Sequence, residues 1–119
     1  MIPDAKKCVI SLLKSKDIPV SGDIKSSGRF ITVTLLGGVQ ATRVSDRARF
    51  KLSCFDSSPA TCDALARRVM EVLDDLSPVV IDDVFCRDIE LDGFPVEMWN
   101  TEFGRPYSQV LYSFEFVRK

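Results

Sequence analysis

Residues 29–76 most constrain the fold of this chain, because they read as two strands followed by a helix. In residues 47–54 apolar and polar side chains alternate, which is the period of a strand with one buried face. Residues 29–36 are rich in β-branched and aromatic residues on both alternating faces, which predicts a strand at least partly covered on both sides. The pair Gly37 and Gly38 predicts the end of that strand, as a bulge or a turn.

The segment from Ser58 to Leu76 predicts an amphipathic helix that ends before Ser77-Pro78. Ser58 suits the N-cap, where a serine oxygen accepts a backbone N–H bond, and Pro59 suits the first helical position. Apolar residues recur along one side at helical spacing: Cys62, Leu65, Ala66, Val69, Val72, Leu73 and Leu76. This helix would therefore pack its apolar side on the two preceding strands.

The remaining segments complete an α+β pattern. Residues 3–15 carry apolar residues with the spacing of a one-sided helix that begins at Pro3. Strand patterns at 80–91, 96–99 and 107–117 follow the second helix, and Asp92-Gly93 predicts a tight turn between the first two. The predicted order is α-β-β-α-β-β-β, a mixed, mainly antiparallel sheet with both helices on one face. We expect residues 1–119 to form a single domain.

The composition excludes several classes of function. The chain has no histidine, so Ser–His–Asp and Cys–His catalysis and histidine-based metal sites are excluded. Its formal charge of −1 gives no overall field that would attract nucleic acid or anionic lipid. The four cysteines form no C-x-x-C pair and are interpreted as small thiols in a reducing compartment, and three of them, Cys8, Cys54 and Cys62, fall on apolar faces that predict burial. We therefore predict no enzymatic activity, no cofactor and no metal.

The sequence also contains no segment that predicts membrane association. Its apolar runs are only a few residues long, well below the 18 or more that a spanning helix needs. The first residues hold a short apolar stretch broken by lysines, which does not fit a signal peptide. Synthesis and assembly in the cytoplasm are expected.

Local clusters offer few binding candidates. A row of basic residues (Arg43, Arg47, Arg49 and Lys51) could follow a phosphate backbone, but no aromatic residue is interleaved to stack bases. A solvated or protein-facing row is the preferred interpretation. The pair Asp82-Asp83 is interpreted as solvated surface rather than a metal site. Trp99, near Met98 and Phe103, is either an exposed binding anchor or part of a cluster that closes one end of the core.

The order of the elements carries a family resemblance. The features concerned are the N-terminal helix, the strand into Gly37-Gly38, the polar stretch to Asp46, the strand at 49–55 and the helix at 60–76. The segment Gly104-Arg105-Pro106-Tyr107, which leads into a long alternating strand, also matches. In this order the chain resembles the tail terminator proteins of long flexible-tailed bacteriophages.

The resemblance implies a role in virion assembly. Such subunits form a homo-hexameric ring that caps the tail tube, ends its polymerisation and gives the head a surface to join. The expected partners are the tail tube protein and a head-side neck or stopper protein, with DNA passing through the lumen without specific binding. The family has no catalytic residues to transfer. The expected interface residues come from the chain itself: Gly37, Gly38, Arg43, Asp46, Arg47, Trp99 and Arg105.

Three alternatives remain open at this stage. A head-side neck protein, either a stopper or a connector-completion subunit, has a similar size and also forms rings. A small ferredoxin-like ligand-binding protein or enzyme would need a polar pocket lined by Arg49, Asp46 or Glu97. A nucleic-acid-binding module would show affinity that falls steeply with salt.

Overall fold

The computed structural model describes residues 4–117. The elements in chain order are α1 (Ala5–Ser15), β1 (Phe30–Gln40), β2 (Ser45–Phe55), α2 (Pro59–Asp74), β3 (Val79–Ile81), β4 (Val84–Asn100) and β5 (Arg105–Val117). The strands form one sheet in the order β1-β2-β5-β4-β3, and every neighbouring pair is antiparallel. The α+β class is confirmed. The sheet is antiparallel where the sequence suggested a mixed one, apart from an isolated parallel bridge between Val20 and Ile31.

Both helices pack into one core with the inward side chains of the sheet. The contribution of α1 is Cys8, Val9, Leu12 and Leu13, and that of α2 is Cys62, Leu65, Ala66, Val69 and Leu73. At the centre, the rings of Phe50 and Phe114 meet edge to face with 5.6 Å between their centroids. Phe114 lies on β5, which is flanked by β2 and β4. We call this side of the sheet the inner face and the opposite side the outer face.

The start of α2 is as the sequence predicts. The hydroxyl of Ser58 accepts a hydrogen bond from the Thr61 backbone N–H, and the Thr61 hydroxyl accepts one from the N–H of Ser58. This reciprocal pair satisfies two backbone groups that a helix start otherwise leaves without partners. At α1, the Asp4 carboxylate caps the helix by accepting from the Lys7 N–H. The predicted start at Pro3 lies outside the described residues.

The first strand continues through its glycine pair, so the predicted end at Gly37 and Gly38 is wrong. The register with β2 shifts between Leu35 and Gly37, which leaves Leu36 as the extra residue of a bulge. Gly37 has φ of 152°, a value that favours glycine. A Cβ at Gly38 would stand 3.2 Å from the Arg47 carbonyl oxygen, a tight contact that favours glycine at this close approach to β2. The chain reverses later, at residues 41–44.

The predicted turn at Asp92-Gly93 is also absent, because β4 runs without a break from Val84 to Asn100. Register shifts relative to β5 occur on both sides of Gly93, so this glycine serves bulges within a strand. The reversal lies instead at Asp82 and Asp83, between β3 and β4. Both aspartates have positive φ, 49° and 65°, as a two-residue hairpin turn requires.

All four cysteines are buried, which confirms the expectation for Cys8, Cys54 and Cys62 and extends it to Cys86. Burial raises the pKa of Cys54 and of Cys86 from 9.0 to about 12. Burial also raises the pKa of Cys8 and Cys62. The thiolate, which is the reactive form, is thus suppressed in the folded chain.

We expect iodoacetamide at pH 8 to label Cys54 and Cys86 about a thousandfold more slowly in the folded chain than in urea, because a pKa raised by three units lowers the thiolate fraction by that factor. The same shift stabilises the fold below pH 9, and this contribution is lost as the pH rises toward 12. Mass spectrometry of peptides after timed labelling measures the rates. Rapid labelling of both thiols without urea would contradict the prediction.

Candidate subunit interface

Exposed apolar side chains cluster on the far half of the β1–β2 hairpin. Leu35, Leu36, Val39 and Val44 are each about half exposed or more, and Val39 reaches 67%. We call these four residues the hairpin patch. The segment is apolar by sequence as well, since residues 30–42 contain neither a charged residue nor a proline. A monomer gains no stability from these side chains in water, so the patch is suited to being covered.

A second cluster lies on the last third of β4. It consists of Phe94, Val96, Met98 and Trp99, and we call it the β4 patch. Phe94 is the most exposed at 77%, and Trp99 is 60% exposed. Trp99 is therefore exposed and does not close the end of the core. Large exposed aromatic side chains of this kind often dominate binding energy at protein interfaces.

The two patches lie toward opposite edges of the sheet. β1 and β4 are separated by β2 and β5 in the strand order. One copy of the chain can therefore present the hairpin patch to one neighbour and the β4 patch to another.

An open groove of about 470 Å³ adjoins the hairpin patch. It lies between the start of α1 and the hairpin, and apolar residues supply much of its lining: Ala5, Leu35, Val39, Ala48 and Phe116. Charged residues at the groove are Asp4, Lys6, Asp46 and Arg47. Apolar lining with a few polar groups suits the side chains of a partner protein.

The basic row on β2 does not form a free line of positive charge. On the outer face, the Arg47 guanidinium lies 2.8 Å from Asp88, 3.3 Å from Glu90 and 3.7 Å from Glu115. Arg49 lies 3.4 Å from Asp92. Partial burial acts to lower the pKa of Arg47, but the bond to Asp88 and the surrounding carboxylates raise it overall. These arginines are therefore neutralised within the chain and do not offer a track for a phosphate backbone.

The carboxylates of this network are held from other directions too. Glu115 is only 7% exposed, accepts a hydrogen bond from the Ser45 hydroxyl at 3.0 Å and pairs with Arg87. Asp92 accepts one from the hydroxyl of Ser113. The network ties β2, β5 and β4 together across the outer face, which fixes the sheet at the base of both patches.

The predicted interface residues of the hairpin lie close to one another. Gly37 and Gly38 directly follow the bulge at Leu36, and Arg43 lies in the exposed reversal at 41–44. Asp46 and Arg47 line the groove together with Gly38. Trp99 belongs to the β4 patch and is therefore distant from this group in the sheet order.

Arg105 differs from the other predicted interface residues because it is only 7% exposed. Its guanidinium donates to the backbone carbonyls of Lys25, Gly28 and Asp56 at 2.9, 2.6 and 3.2 Å. It also lies over the rings of Phe30 and Phe55, 5.2 and 5.4 Å from their centroids. Arg105 thus fastens the connector before β1 to the outer face of the sheet.

Sequence reasoning identified Trp99 but missed most of the other apolar members of the two patches. Leu35 and Leu36 were noted only as part of a two-sided strand, and Phe94 and Val96 were not singled out. A signal was present in the uncharged run at 30–42, which is unusual for a strand at the edge of a sheet. The segment Phe94-Pro95-Val96 gives a weaker signal of exposed apolar side chains, because the sequence predicts a turn and a short strand in this region.

No group of three or more acidic or cysteine side chains in residues 4–117 is arranged to hold a metal ion. None of the helices within these residues has the length and apolar character needed to cross a membrane.

Neither a known protein-family model nor a curated protein matches this chain.

Proposed function

We propose that the chain is a structural subunit of a phage virion, a tail terminator that forms a hexameric ring on the finished tail tube. The ring ends tube polymerisation and provides the surface on which the head joins. The observation that carries this proposal is the presence of two exposed apolar patches toward opposite edges of one sheet. A ring needs such a pair of unlike surfaces, because each subunit contacts a different patch of the next.

The order of the elements supports the same proposal through its resemblance to tail terminators. In this assignment the hairpin around residues 37–47 contacts a neighbouring subunit or the tube, and the β4 patch supplies a second contact. The head-side partner is a neck or stopper protein. The protein would then be found at the junction of tail and neck, after assembly in the host cytoplasm.

The balanced outer face fits a ring through which DNA passes. Arg47 and Arg49 are matched by Asp88, Glu90 and Asp92, so this face offers no strip of net positive charge. Phosphate binding depends on such unmatched charge. The same pairing weighs against the nucleic-acid-binding alternative.

A head-side stopper remains the closest rival, since two unlike patches suit any ring. The enzyme alternative has less support, because Asp46 lies at a groove whose lining is largely apolar and Glu97 lies at a separate pocket beside Trp99. The two ring proteins differ in their partner: a terminator binds the end of the tail tube, and a stopper does not.

Purified tail tube protein of the same phage should stop elongating when this chain is added in amounts far below the tube protein. The Trp99→Ala variant should need at least about tenfold more protein for the same effect, because removing an aromatic anchor from an interface often costs 2 kcal/mol or more. Val80→Ala is the matched control, since Val80 is 65% exposed but lies outside both patches. Tube lengths are measured by electron microscopy.

Unimpeded elongation in the presence of the wild-type chain would exclude a terminator and favour a stopper. Virions made without the chain give an independent result. Tails of uniform length that still join heads would overturn the proposal.

A further inference from the structure

We infer that the open edge of β1 pairs with the open edge of β4 in the next copy of the chain, so that one antiparallel sheet continues from subunit to subunit. This inference rests on the proposed ring and names the contact that builds it. It adds backbone pairing between the strands that carry the two patches. Ring formation alone does not require such pairing.

The β1 edge is open beyond its first residues. Ile31 donates its N–H to the Pro19 carbonyl at 2.8 Å and accepts from the Ser21 N–H at 2.9 Å, so its backbone groups point away from β2. Alternation along a strand directs those of Val33 and Leu35 to the same side. No strand within residues 4–117 pairs with β1 on this side. A row of backbone donors and acceptors is thus available to an added strand.

This edge also lacks most of the protection that soluble proteins give to an edge strand. Edges are normally short, or carry lysine, proline or inward charges that prevent pairing with another chain. β1 has eleven residues, and none of residues 30–42 is charged or a proline. The bulge at Leu36 is its one protective feature. An edge of this kind is suited to a permanent partner.

The last third of β4 is the complementary edge. β3 pairs only with residues 84–86, so residues 96–100 pair with β5 alone among the described strands, and residues 94–95 lie in the preceding irregularity. This part of β4 carries the β4 patch and one charged residue, Glu97. The acidic residues of β4 lie earlier, at Asp88, Glu90 and Asp92, where Arg47 and Arg49 engage them.

The strand directions agree with head-to-tail pairing. Each neighbouring pair in β1-β2-β5-β4 is antiparallel, so β1 and β4 of one copy run in opposite directions. A second copy placed in the same orientation beside β1 therefore brings its β4 antiparallel to that strand. The registers place Glu97 level with Ile31, so the second copy must also be shifted along the strands to bring the end of its β4 beside the open part of β1. Each copy uses both edges once, and such a heterologous contact closes into a ring when the rotation allows.

The groove beside β1 adds side-chain specificity to this backbone pairing. A strand added to an edge gains affinity from main-chain hydrogen bonds, and pockets that take alternate side chains give selectivity. Leu35 and Val39 line the groove and also belong to the hairpin patch. Pairing of β1 with β1 would instead give a two-fold dimer and leave the β4 patch bare.

The Leu35→Lys variant tests the contact in the purified full chain. Wild-type chain should form oligomers as its concentration rises in sedimentation velocity, and L35K should associate at least about tenfold more weakly, because an unpaired charge is costly to bury. Val80→Lys is the matched control, since Val80 is 65% exposed and lies outside both patches. Leu35 is 49% exposed, so L35K should fold, and circular dichroism checks this.

Amide hydrogen exchange on the oligomer identifies the strands. Slowed exchange in both 33–40 and 94–100 is the expected result, and slowing in 33–40 without 94–100 would overturn the inference in favour of a two-fold dimer. A wild-type chain that stays monomeric, or L35K that assembles as wild type does, would also overturn it. If L35K formed rings that capped the tube, the inference would be overturned and the proposed function would stand. If wild-type oligomers formed by this strand pairing did not cap the tube, the proposed function alone would be rejected.

Discussion

Phe114→Ala should lower the free energy of unfolding by about 3–5 kcal/mol, the range for truncating a buried phenylalanine. Phe114 is fully buried on β5, with the rings of Phe50 and Phe116 at 5.6 and 6.1 Å between centroids. The substitution removes apolar contacts on several sides and leaves a cavity at the centre of the core. A domain of this size is typically stable by only about 5–15 kcal/mol, so the change approaches the whole margin.

Urea unfolding followed by circular dichroism measures this difference. Phe94→Ala is the matched control, because Phe94 is 77% exposed and its removal should change the stability of the monomer by no more than about 0.5 kcal/mol. Equal losses for the two variants would show that the sheet does not bury β5 as described.

Arg105→Ala should lower the free energy of unfolding by about 3 kcal/mol or more, which is the second largest effect that we expect. The change leaves the carbonyls of Lys25, Gly28 and Asp56 without their shared donor, and hydrogen bonds to charged groups contribute about 1.5–3 kcal/mol each without adding fully. It also uncovers the stacked rings of Phe30 and Phe55. The loss should appear in the same urea experiment.

Two further variants separate the causes of that loss. Arg67→Ala removes an exposed arginine that pairs with Asp63 one helical turn away, and should cost only about 0.3–0.5 kcal/mol. Arg105→Lys keeps the charge but lacks the planar fork that reaches several carbonyls at once, so its stability should fall between wild type and R105A. An R105K variant as stable as wild type would reduce the role of Arg105 to its charge.

The sequence was most informative where local chemistry determines structure. The start of α2 follows from Ser58 and Pro59, whose capping does not depend on distant residues. The alternation in β2 was equally reliable, because its alternate side chains from Ala48 to Cys54 are all buried in the core. These elements and the α+β class could be predicted without knowledge of the sheet order.

The wrong predictions lie at glycines whose structural role depends on strand pairing. Gly37 and Gly93 supply a permissive backbone, which serves a turn or a bulge equally well. Extended pairing of β1 with β2 and of β4 with β5 makes these glycines part of bulges. That pairing cannot be predicted from the residues next to each glycine. The true hairpin turn at Asp82 and Asp83 was overlooked because it uses aspartates at positive φ, where asparagine or glycine is more usual.

The candidate interface was predictable only in part, for a similar reason. The hairpin and Trp99 were identified from their sequence context. The role of Arg105 was not, because its acceptors lie 49 to 80 residues away in the chain. Exposure of Leu35 and Phe94 likewise depends on which sheet edges remain without a neighbour.

The position of β5 also has a consequence for how the subunit is made. It is the last element in chain order, yet it lies between β2 and β4 and pairs with both. During translation, a growing chain therefore cannot close its sheet until β5 has left the ribosome. Contacts between residues this far apart in sequence slow folding. The sheet should thus close in one step that follows the synthesis of β5, so that chains that still lack β5 do not enter an assembly.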